Sequence, residues 1–439
     1  MEINPHLEPK GRGNLSVDVK LRCPKCHRTF EPSEKLFICP YCNQPLEVIY
    51  EPDEKPSFDE IRRRSRIYGI WRFKEFLPIK TSNPITMGEG STPLVRVEKL
   101  EKLIGVRRVY VKFEGANPTG SFKDRGMSLA ITLARESGSK AVVAASTGNT
   151  AASAAAYASR ASLLTFLLLP RGKVALGKMA QSILHGAIIV EIEGNFDDAL
   201  ETARRLAQRE EFYPLNSFNP WRLEGQKTLA YEVFEEIGVP DHVVVPVGNA
   251  GNISAIWKGF KELKNWGYSD TLPRMAGIQA EGSSPIASAF KLGLDAPLFT
   301  ENPETLATAI RIGKPVNWFK AWKAVTESSG TFEVVSDSDI IRAQRLLARE
   351  EGIAAEPAGA ASIAGAIKLA QNGYFNGDET VVCVVTGHGL KDPDSVKFHP
   401  TTRLRAMSVD DAIEKVIKSL MERSNKNREI EIKRQQVAS

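Results

Sequence analysis

The chain has 439 residues, of which 42% are apolar and 25% charged, with a formal net charge of +5 at pH 7. These values are typical of a globular protein long enough for two or three domains, and the small charge does not favour a nucleic-acid partner. No run approaches the ~18 apolar residues of a membrane span, and Met1–Lys20 lacks the apolar core of a secretory signal.

The first predicted element is a cysteine knuckle, made of two Cys-x-x-Cys turns with twelve residues between them. Such turns supply four thiolates to a tetrahedral zinc ion, here from Cys23, Cys26, Cys39 and Cys42. A site with all four positions filled is structural, and iron or reversible disulfides are the alternatives. The fifth cysteine, Cys383, is predicted to be a buried strand residue. This use of cysteine favours a cytoplasmic protein.

Apolar strands alternate with helical segments through the middle of the chain. Six strands are predicted, at Ala141–Ala145, Leu163–Leu169, Ala187–Ile192, His242–Val247, Met275–Ala280 and Thr380–Val385. Continuous apolar strands followed by helices are typical of parallel sheets that are covered on both faces. The predicted fold class is therefore α/β.

The last predicted element is a helix near the C-terminus. Ser408 and Asp411 have the spacing of a capping box, and the charged sequence beyond Arg423 is expected to fray. An apolar stripe follows the cap at helical spacing, through Val409, Ile413, Val416, Ile417 and Leu420. A docking helix with a loose basic tail is the prediction, and contact with RNA or a membrane is the alternative.

Polar, glycine-bearing segments lie beside the predicted strands, where parallel sheets bind ligands. Lys123 lies between a Pro/Gly turn and a helix start, a position that favours anions and suits a lysine bonded to a phosphate-bearing aldehyde. Pyridoxal phosphate (PLP) needs such a lysine for its Schiff base and a cradle for its phosphate. Gly248–Asn252 is the cradle candidate, because glycines and a helix start expose N–H groups. An ordinary turn is the alternative, since neither the dinucleotide fingerprint nor the P-loop is present.

Two further segments complete this set. Ser146–Thr150 offers hydroxyls, an amide and N–H groups at a helix start, which suits an anion, although a simple N-cap is the alternative. Thr386 places a hydroxyl at the carboxyl end of the last predicted strand.

Four motifs together, in this order, carry a family resemblance. They are Pro-Thr-Gly-Ser-Phe-Lys-Asp-Arg-Gly, Ser-Thr-Gly-Asn-Thr-Ala, Gly-Asn-Ala-Gly-Asn and Thr-Gly-His-Gly-Leu-Lys-Asp. The set resembles the fold-type-II PLP enzymes, which are similar to the tryptophan synthase beta chain, and the threonine synthase family in particular. The resemblance covers roughly Glu89 to Asp392. Asp124 is similar to that family's pattern, whereas related dehydratases usually carry another residue there.

The resemblance implies a domain organisation. Residues 1–50 would hold the four-cysteine zinc ribbon, and residues 51–400 would form two interleaved α/β subdomains around PLP. Residues 401–439 would be a C-terminal helix and a loose basic tail. A homodimer is the usual state of the family.

The resemblance also implies a role for each site residue. Lys123 would hold PLP and act as the mobile acid and base, Asn149 would hydrogen-bond the phenolic oxygen, and Thr386 would face the pyridine nitrogen. The cofactor phosphate would be held by Gly248, Asn249, Ala250, Gly251 and Asn252.

The implied substrate is O-phospho-L-homoserine, which would react with water to give L-threonine and phosphate, the last step of threonine biosynthesis. The candidates for its α-carboxylate are Ser146, Thr147 and Asn149. The candidates for its phosphate are Thr150, Lys178, Asn216, Ser217 and Arg222. A guanidinium can bind phosphate through two bonds, although Arg222 could instead be a surface arginine, and Lys173 could replace Lys178.

Two rival functions stay open at this point. A threonine or serine dehydratase, or another β-replacement enzyme, would share the PLP motifs. A nucleic-acid-binding zinc ribbon on an α/β scaffold would explain the four cysteines but not Lys123 and its companion segments.

Overall fold

The computed structural model describes residues 18–32, 36–172 and 176–421 of the chain. Two compact units are distinguished, residues 1–395 and 396–439. In the second unit residues 409–421 are helical and carry the predicted apolar stripe. The Asp411 amide donates to the Ser408 hydroxyl over 3.1 Å, so this half of the predicted capping box is confirmed. The predicted fraying beyond Arg423 lies outside the described residues.

The strands form three sheets. They are β1 Lys20–Arg22, β2 Thr29–Phe30, β3 Glu47–Ile49, β4 Leu94–Arg96, β5 Arg108–Phe113, β6 Ala141–Ala145, β7 Leu164–Pro170, β8 Ile188–Ile192, β9 Phe212–Pro214, β10 His242–Pro246, β11 Arg274–Ala280, β12 Thr331–Val335 and β13 Thr380–Val385. A six-stranded sheet has the order β12-β11-β10-β13-β5-β4 and is parallel except for β4. A four-stranded parallel sheet has the order β8-β7-β6-β9.

The helices connect and cover these strands. They are α1 Phe58–Arg62, α2 Glu98–Ile104, α3 Lys123–Glu136, α4 Asn149–Arg160, α5 Leu176–Leu184, α6 Phe196–Leu206, α7 Trp221–Gln226, α8 Thr228–Ile237, α9 Gly251–Asn265, α10 Pro285–Lys291, α11 Trp318–Glu327, α12 Asp337–Glu350 and α13 Pro357–Gln371. Across the described ranges, no helix has both the length and the hydropathy that crossing a membrane requires.

The predicted α/β class with two parallel sheets is confirmed. Each of the six predicted strands is present and ends within one residue of its predicted limits. Strands β4, β5, β9 and β12 of these two sheets were not predicted. β9 has only three residues, and Glu333 interrupts the apolar run of β12, where its carboxylate is paired with Lys291 and Lys368.

The N-terminal segment, residues 18–50, forms a small antiparallel sheet in the order β2-β1-β3. We refer to it as the cysteine ribbon. Its strands have only two or three residues, so they cannot enclose an apolar core by themselves. Leu21 and Val48 pack instead in one cluster with Leu129 of α3 and Trp221 of α7. The ribbon therefore rests on helices that belong to the larger α/β body.

Candidate active site

A pocket lies where several helices begin. Helices α3, α4 and α9 start there with Lys123, Asn149 and Gly251, and Glu356 directly precedes α13. Helix starts carry partial positive charge and free N–H groups, so together they favour an anionic ligand. The predicted site residues among its lining are Lys123, Asn149, Ser217, Arg222, Gly248, Asn249, Ala250, Gly251, Asn252 and Thr386.

Lys123 is the first residue of α3 and points into this pocket. Burial and the positive charge of Arg222 lower the pKa of Lys123 to about 7, against a smaller opposing effect from Glu356. Its Nζ lies 4.2 Å from the ring centre of Phe122. Within the described ranges, no hydrogen-bond or ion-pair partner is found for this amine. An amine with such a lowered pKa is largely uncharged near neutral pH and therefore nucleophilic, so the chemistry of this position suits a carbonyl cofactor.

The segment Gly248–Asn252, which we refer to as the phosphate loop, follows β10. A Cβ atom at Gly248 would lie 3.0 Å from Ile310 Cα, which is tighter than most contacts of a Cβ atom, so this close approach favours glycine. Ala250 has a φ of 64°, an unusual value for a residue with a side chain, and α9 begins directly after it. Both amide atoms of Asn252 are buried without a partner among the described residues. Unpaired polar atoms beside a helix start fit the phosphate of PLP.

Glu356 is a residue of this pocket that was not predicted from the sequence. Asn149 Nδ2 donates to its Oε2 over 2.9 Å, and the Thr386 hydroxyl donates to its Oε1 over 3.1 Å. Burial raises the pKa of Glu356, while these two hydrogen bonds act in the opposite direction. A signal was present in the sequence, since a glutamate directly before Pro357 stands alone in an alanine-rich segment.

Arg222 lies in α7, and only 2% of its surface is exposed, so the alternative of a surface arginine is wrong. Its Nη1 donates to the Leu215 carbonyl over 2.9 Å, whereas its buried Nε has no partner within the described chain. Burial lowers the pKa of Arg222 to about 10. A partly unpaired guanidinium beside Lys123 makes this side of the pocket suited to an anion.

The other predicted substrate residues differ in their surroundings. Asn216 has both ends of its amide paired with the backbone of Ala145, each over 3.1 Å, and so fastens the end of β6. Ser146, Thr147 and Thr150 lie half-buried around the start of α4. Lys173 and the side chain of Lys178 are outside the described residues.

The four ribbon cysteines come together, with their Sγ atoms all within 4.8 Å of one another. The two turns repeat one geometry, since the His27 amide donates to the Cys23 carbonyl and the Asn43 amide to the Cys39 carbonyl, over 3.0 and 2.9 Å. The residue after each turn has a positive φ, 60° at His27 and 54° at Asn43. Four converging thiols in paired turns form a donor set that fits a tetrahedral metal ion.

Comparison with known proteins identifies the family of this chain. Residues 85–387 match the family described as pyridoxal-phosphate dependent enzyme. The threonine synthase of Methanocaldococcus jannaschii is 53% identical over 378 residues, which cover 85% of this chain and 93% of that protein. The threonine synthase of Methanosarcina acetivorans is 50% identical over 378 residues, covering 86% of this chain and 93% of that protein.

Solved structures agree on the fold. Maize serine racemase has a TM-score of 0.58 at 21% identity, covering 76% of this chain and 93% of its own. The processed form of threonine deaminase isoform 2 from Solanum lycopersicum also has a TM-score of 0.58, at 22% identity, covering 71% and 88%. The family resemblance that four sequence motifs indicated is confirmed by these comparisons. This chain belongs to the threonine synthase family of PLP-dependent enzymes.

Proposed function

We propose that this chain converts O-phospho-L-homoserine and water into L-threonine and phosphate, with PLP as its cofactor. The similarity to threonine synthases over most of the chain supports the reaction. The structural observation that carries it is the half-buried amine of Lys123 in this pocket, whose pKa is lowered to about 7 beside the guanidinium of Arg222. One pocket thus combines a reactive amine with groups that bind anions.

The residues around the pocket suit the parts of PLP. Lys123 would hold the cofactor covalently, and the phosphate loop with the helix start behind it would hold its phosphate. The Asn149 amide would donate to the phenolic oxygen, and the Thr386 hydroxyl would face the pyridine nitrogen as a neutral partner. When bound, PLP supplies an electron sink for negative charge that develops on the substrate carbon atoms.

The side chains would perform the remaining tasks. The amine of Lys123 would accept and return protons at the α and β carbons, because its lowered pKa allows both transfers near neutral pH. Phosphate would leave from the γ carbon, and a water molecule would add at the β carbon. Ser146, Thr147 and the start of α4 would hold the α-carboxylate. The candidates for the substrate phosphate are Thr150, Lys178, Asn216, Ser217 and Arg222.

The products formed from O-phospho-L-homoserine test this assignment. Purified protein with PLP is expected to release phosphate and L-threonine in equal amounts. Phosphate accompanied by 2-oxobutyrate in place of threonine would identify a dehydratase-type lyase. Absence of any phosphate release would contradict the proposed substrate.

Replacing Arg222 by methionine should raise the KM for O-phospho-L-homoserine about 50-fold, because a bidentate charged contact to phosphate is lost. The kcat should change much less if this contact is made equally in the ground state and the transition state. Steady-state kinetics measure both values. The matched control is Arg209→Met, which removes an exposed arginine near Glu211 and should leave KM unchanged. An unchanged KM in the Arg222 variant would contradict its proposed role.

Replacing Glu356 by glutamine should lower kcat about tenfold and shift the absorbance of bound PLP. The glutamine Nε2 cannot accept the hydrogen bond that Asn149 or Thr386 now donates, so one of these cofactor-facing groups becomes misplaced. Glu350→Gln, which alters an exposed partner of Lys99, is the control. Wild-type absorbance and turnover in the Glu356 variant would show that the carboxylate does not position these groups.

The rate of PLP addition to cofactor-free protein should rise about tenfold between pH 6 and pH 8 and then level off, because only the neutral amine reacts. This window follows from the Lys123 pKa of about 7. An ordinary lysine would instead keep gaining reactivity up to its pKa above 10. Arg222→Met should move the midpoint upward, since it removes a neighbouring positive charge. Stopped-flow absorbance measures the rate, and a continued tenfold rise per pH unit to pH 9 would contradict the lowered pKa.

We also propose that the four cysteines bind one structural zinc ion, and that the chain is a cytoplasmic homodimer. The all-thiol donor set and its geometry support zinc. Metal analysis should give one zinc per chain, and iron in its place would correct the identity of the ion.

Light scattering tests the proposed homodimer. The proposed domain limits, 1–50, 51–400 and 401–439, can be tested by limited proteolysis.

A further inference from the structure

Two lysines of α11 join this helix to the cysteine ribbon. Lys320 Nζ donates to the carbonyl of Leu46 over 2.7 Å, and Lys323 Nζ donates to the carbonyl of Pro24 over 3.0 Å. Pro24 lies inside the first cysteine turn, and Leu46 directly precedes β3. Residues three apart lie on one face of a helix, so both lysines reach the ribbon from the same side of α11.

Lys320 also contacts a residue that reaches the cofactor site. Its Nζ lies 3.4 Å from Asn317 Oδ1. Asn317 Nδ2 donates to the Ser217 carbonyl over 2.8 Å, and the Asn317 amide donates to the Asn249 carbonyl over 3.1 Å. Ser217 and Asn249 both line the pocket. A continuous set of polar contacts therefore runs from the ribbon backbone to the phosphate loop.

These contacts are buried, which makes them sensitive to the loss of a partner. Asn317 is 1% exposed and Lys320 is 8% exposed. If the Leu46 carbonyl moved away, the ammonium group of Lys320 would remain in a buried position with a weaker set of acceptors. Leaving a buried charge poorly paired is costly, so the helix start at Asn317 would have to shift.

A second contact connects the ribbon to Phe218, the residue that follows Ser217. The ring of Phe37 packs against Phe218 and Tyr213, with ring centres 6.2 and 5.8 Å apart. The Leu46 amide donates to the Phe37 carbonyl over 2.9 Å. Phe37 is therefore hydrogen-bonded to Leu46, the residue whose carbonyl accepts from Lys320. An ordered ribbon thus contacts Phe218, the residue after Ser217, through Phe37, and it contacts Asn317 through Lys320.

We propose that Lys320 and Asn317 are positioning residues through which the metal-loaded ribbon holds the phosphate loop in the geometry that binds PLP. The inference rests on the proposed function, because it requires PLP in this pocket. A sheet with strands of two or three residues depends on its metal for much of its folding energy. Metal loss would therefore release the Leu46 carbonyl, and the phosphate loop would lose the support that Asn317 gives it.

A pair of variants on α11 separates this role from simple attachment of the ribbon. Lys320→Met should raise the Kd for PLP about tenfold, since one charged hydrogen bond is lost. The matched control Lys323→Met loses its own bond to the ribbon but has no contact with Asn317, and it should bind PLP as the wild type does. Phosphorus-31 NMR of bound PLP should show a shifted resonance only in the Lys320 variant. At saturating PLP, its kcat should return to near the wild-type value.

Metal removal completes the test. Chelation of the ribbon metal should raise the wild-type Kd for PLP about tenfold but change that of Lys320→Met less than about twofold, because coupled contacts are not additive. Equal effects of chelation in the two proteins would overturn the proposal, and so would a folded, metal-containing Lys320 variant with wild-type Kd. If that variant does not fold, Asn317→Ala must show the same weakened binding. PLP binding is measured without substrate, so this test does not depend on the reaction. A protein that binds PLP as expected but forms no threonine would contradict the proposed function and leave the role of Lys320 standing.

Discussion

Replacing Lys123 by alanine is expected to lower the turnover of O-phospho-L-homoserine by at least about 10⁴-fold, because one side chain supplies both the covalent attachment and the proton transfers. In the part of the chain that the structure describes, Lys123 is the only lysine that lines the pocket. No neighbouring amine is therefore placed to take over. Phosphate release measures turnover, and mass spectrometry after borohydride reduction measures the attached cofactor.

The control for this experiment is another partly buried lysine. Lys391 donates to Gln181 and influences the pKa of Glu356, but it does not line the pocket. Lys391→Ala should keep a reducible bond between Lys123 and PLP, while Lys123→Ala should lose it. Cofactor found on a different lysine of the wild-type protein would contradict the assignment of Lys123.

Replacing Arg125 by methionine is expected to lower the free energy of unfolding by about 3–5 kcal/mol, because Glu114 is left buried without its cationic partner and Glu232 keeps only its ion pair with Lys112. Arg125 makes paired contacts of 2.7 to 2.8 Å with Glu114 and Glu232, and none of these side chains is more than 1% exposed. The opposite charges raise the pKa of Arg125 and lower that of Glu232, even though burial acts against both shifts. Urea unfolding followed by fluorescence measures the loss.

This network also affects the site, because Arg125 lies two residues after Lys123 at the start of α3. It links that helix to Glu114, which follows β5, and to Glu232 in α8. Arg205→Met is the control, since Arg205 and Glu201 form an exposed pair on α6 and should contribute little. A loss no greater than that of the control would mean that the buried network does not hold α3 in place.

The sheets were predictable because their signal is local. The runs that form β6, β10 and β13 are continuous and apolar, and turn residues bound them. Glycine-bearing motifs after β10 and β13 then indicated where a ligand binds in such a sheet. The convergence of the four cysteines was equally predictable, since their spacing alone indicates two Cys-x-x-Cys turns.

The parts that were not predicted depend on contacts between distant segments. Glu356 meets Asn149 across 207 positions, and Lys320 meets Leu46 across 274. A single sequence does not indicate which residues that are so far apart along the chain come into contact. Asn216 shows the same limit, because the sequence indicates an amide near the site but not that both of its ends are paired with Ala145.

The reaction in water labelled with ¹⁸O tests the central claim most directly. If γ-phosphate leaves by cleavage of the carbon–oxygen bond and water adds at the β carbon, threonine will carry ¹⁸O in its hydroxyl group and the released phosphate will carry none. Label in the phosphate, with homoserine as the other product, would mean simple hydrolysis of the ester. That result would contradict a threonine synthase reaction at Lys123.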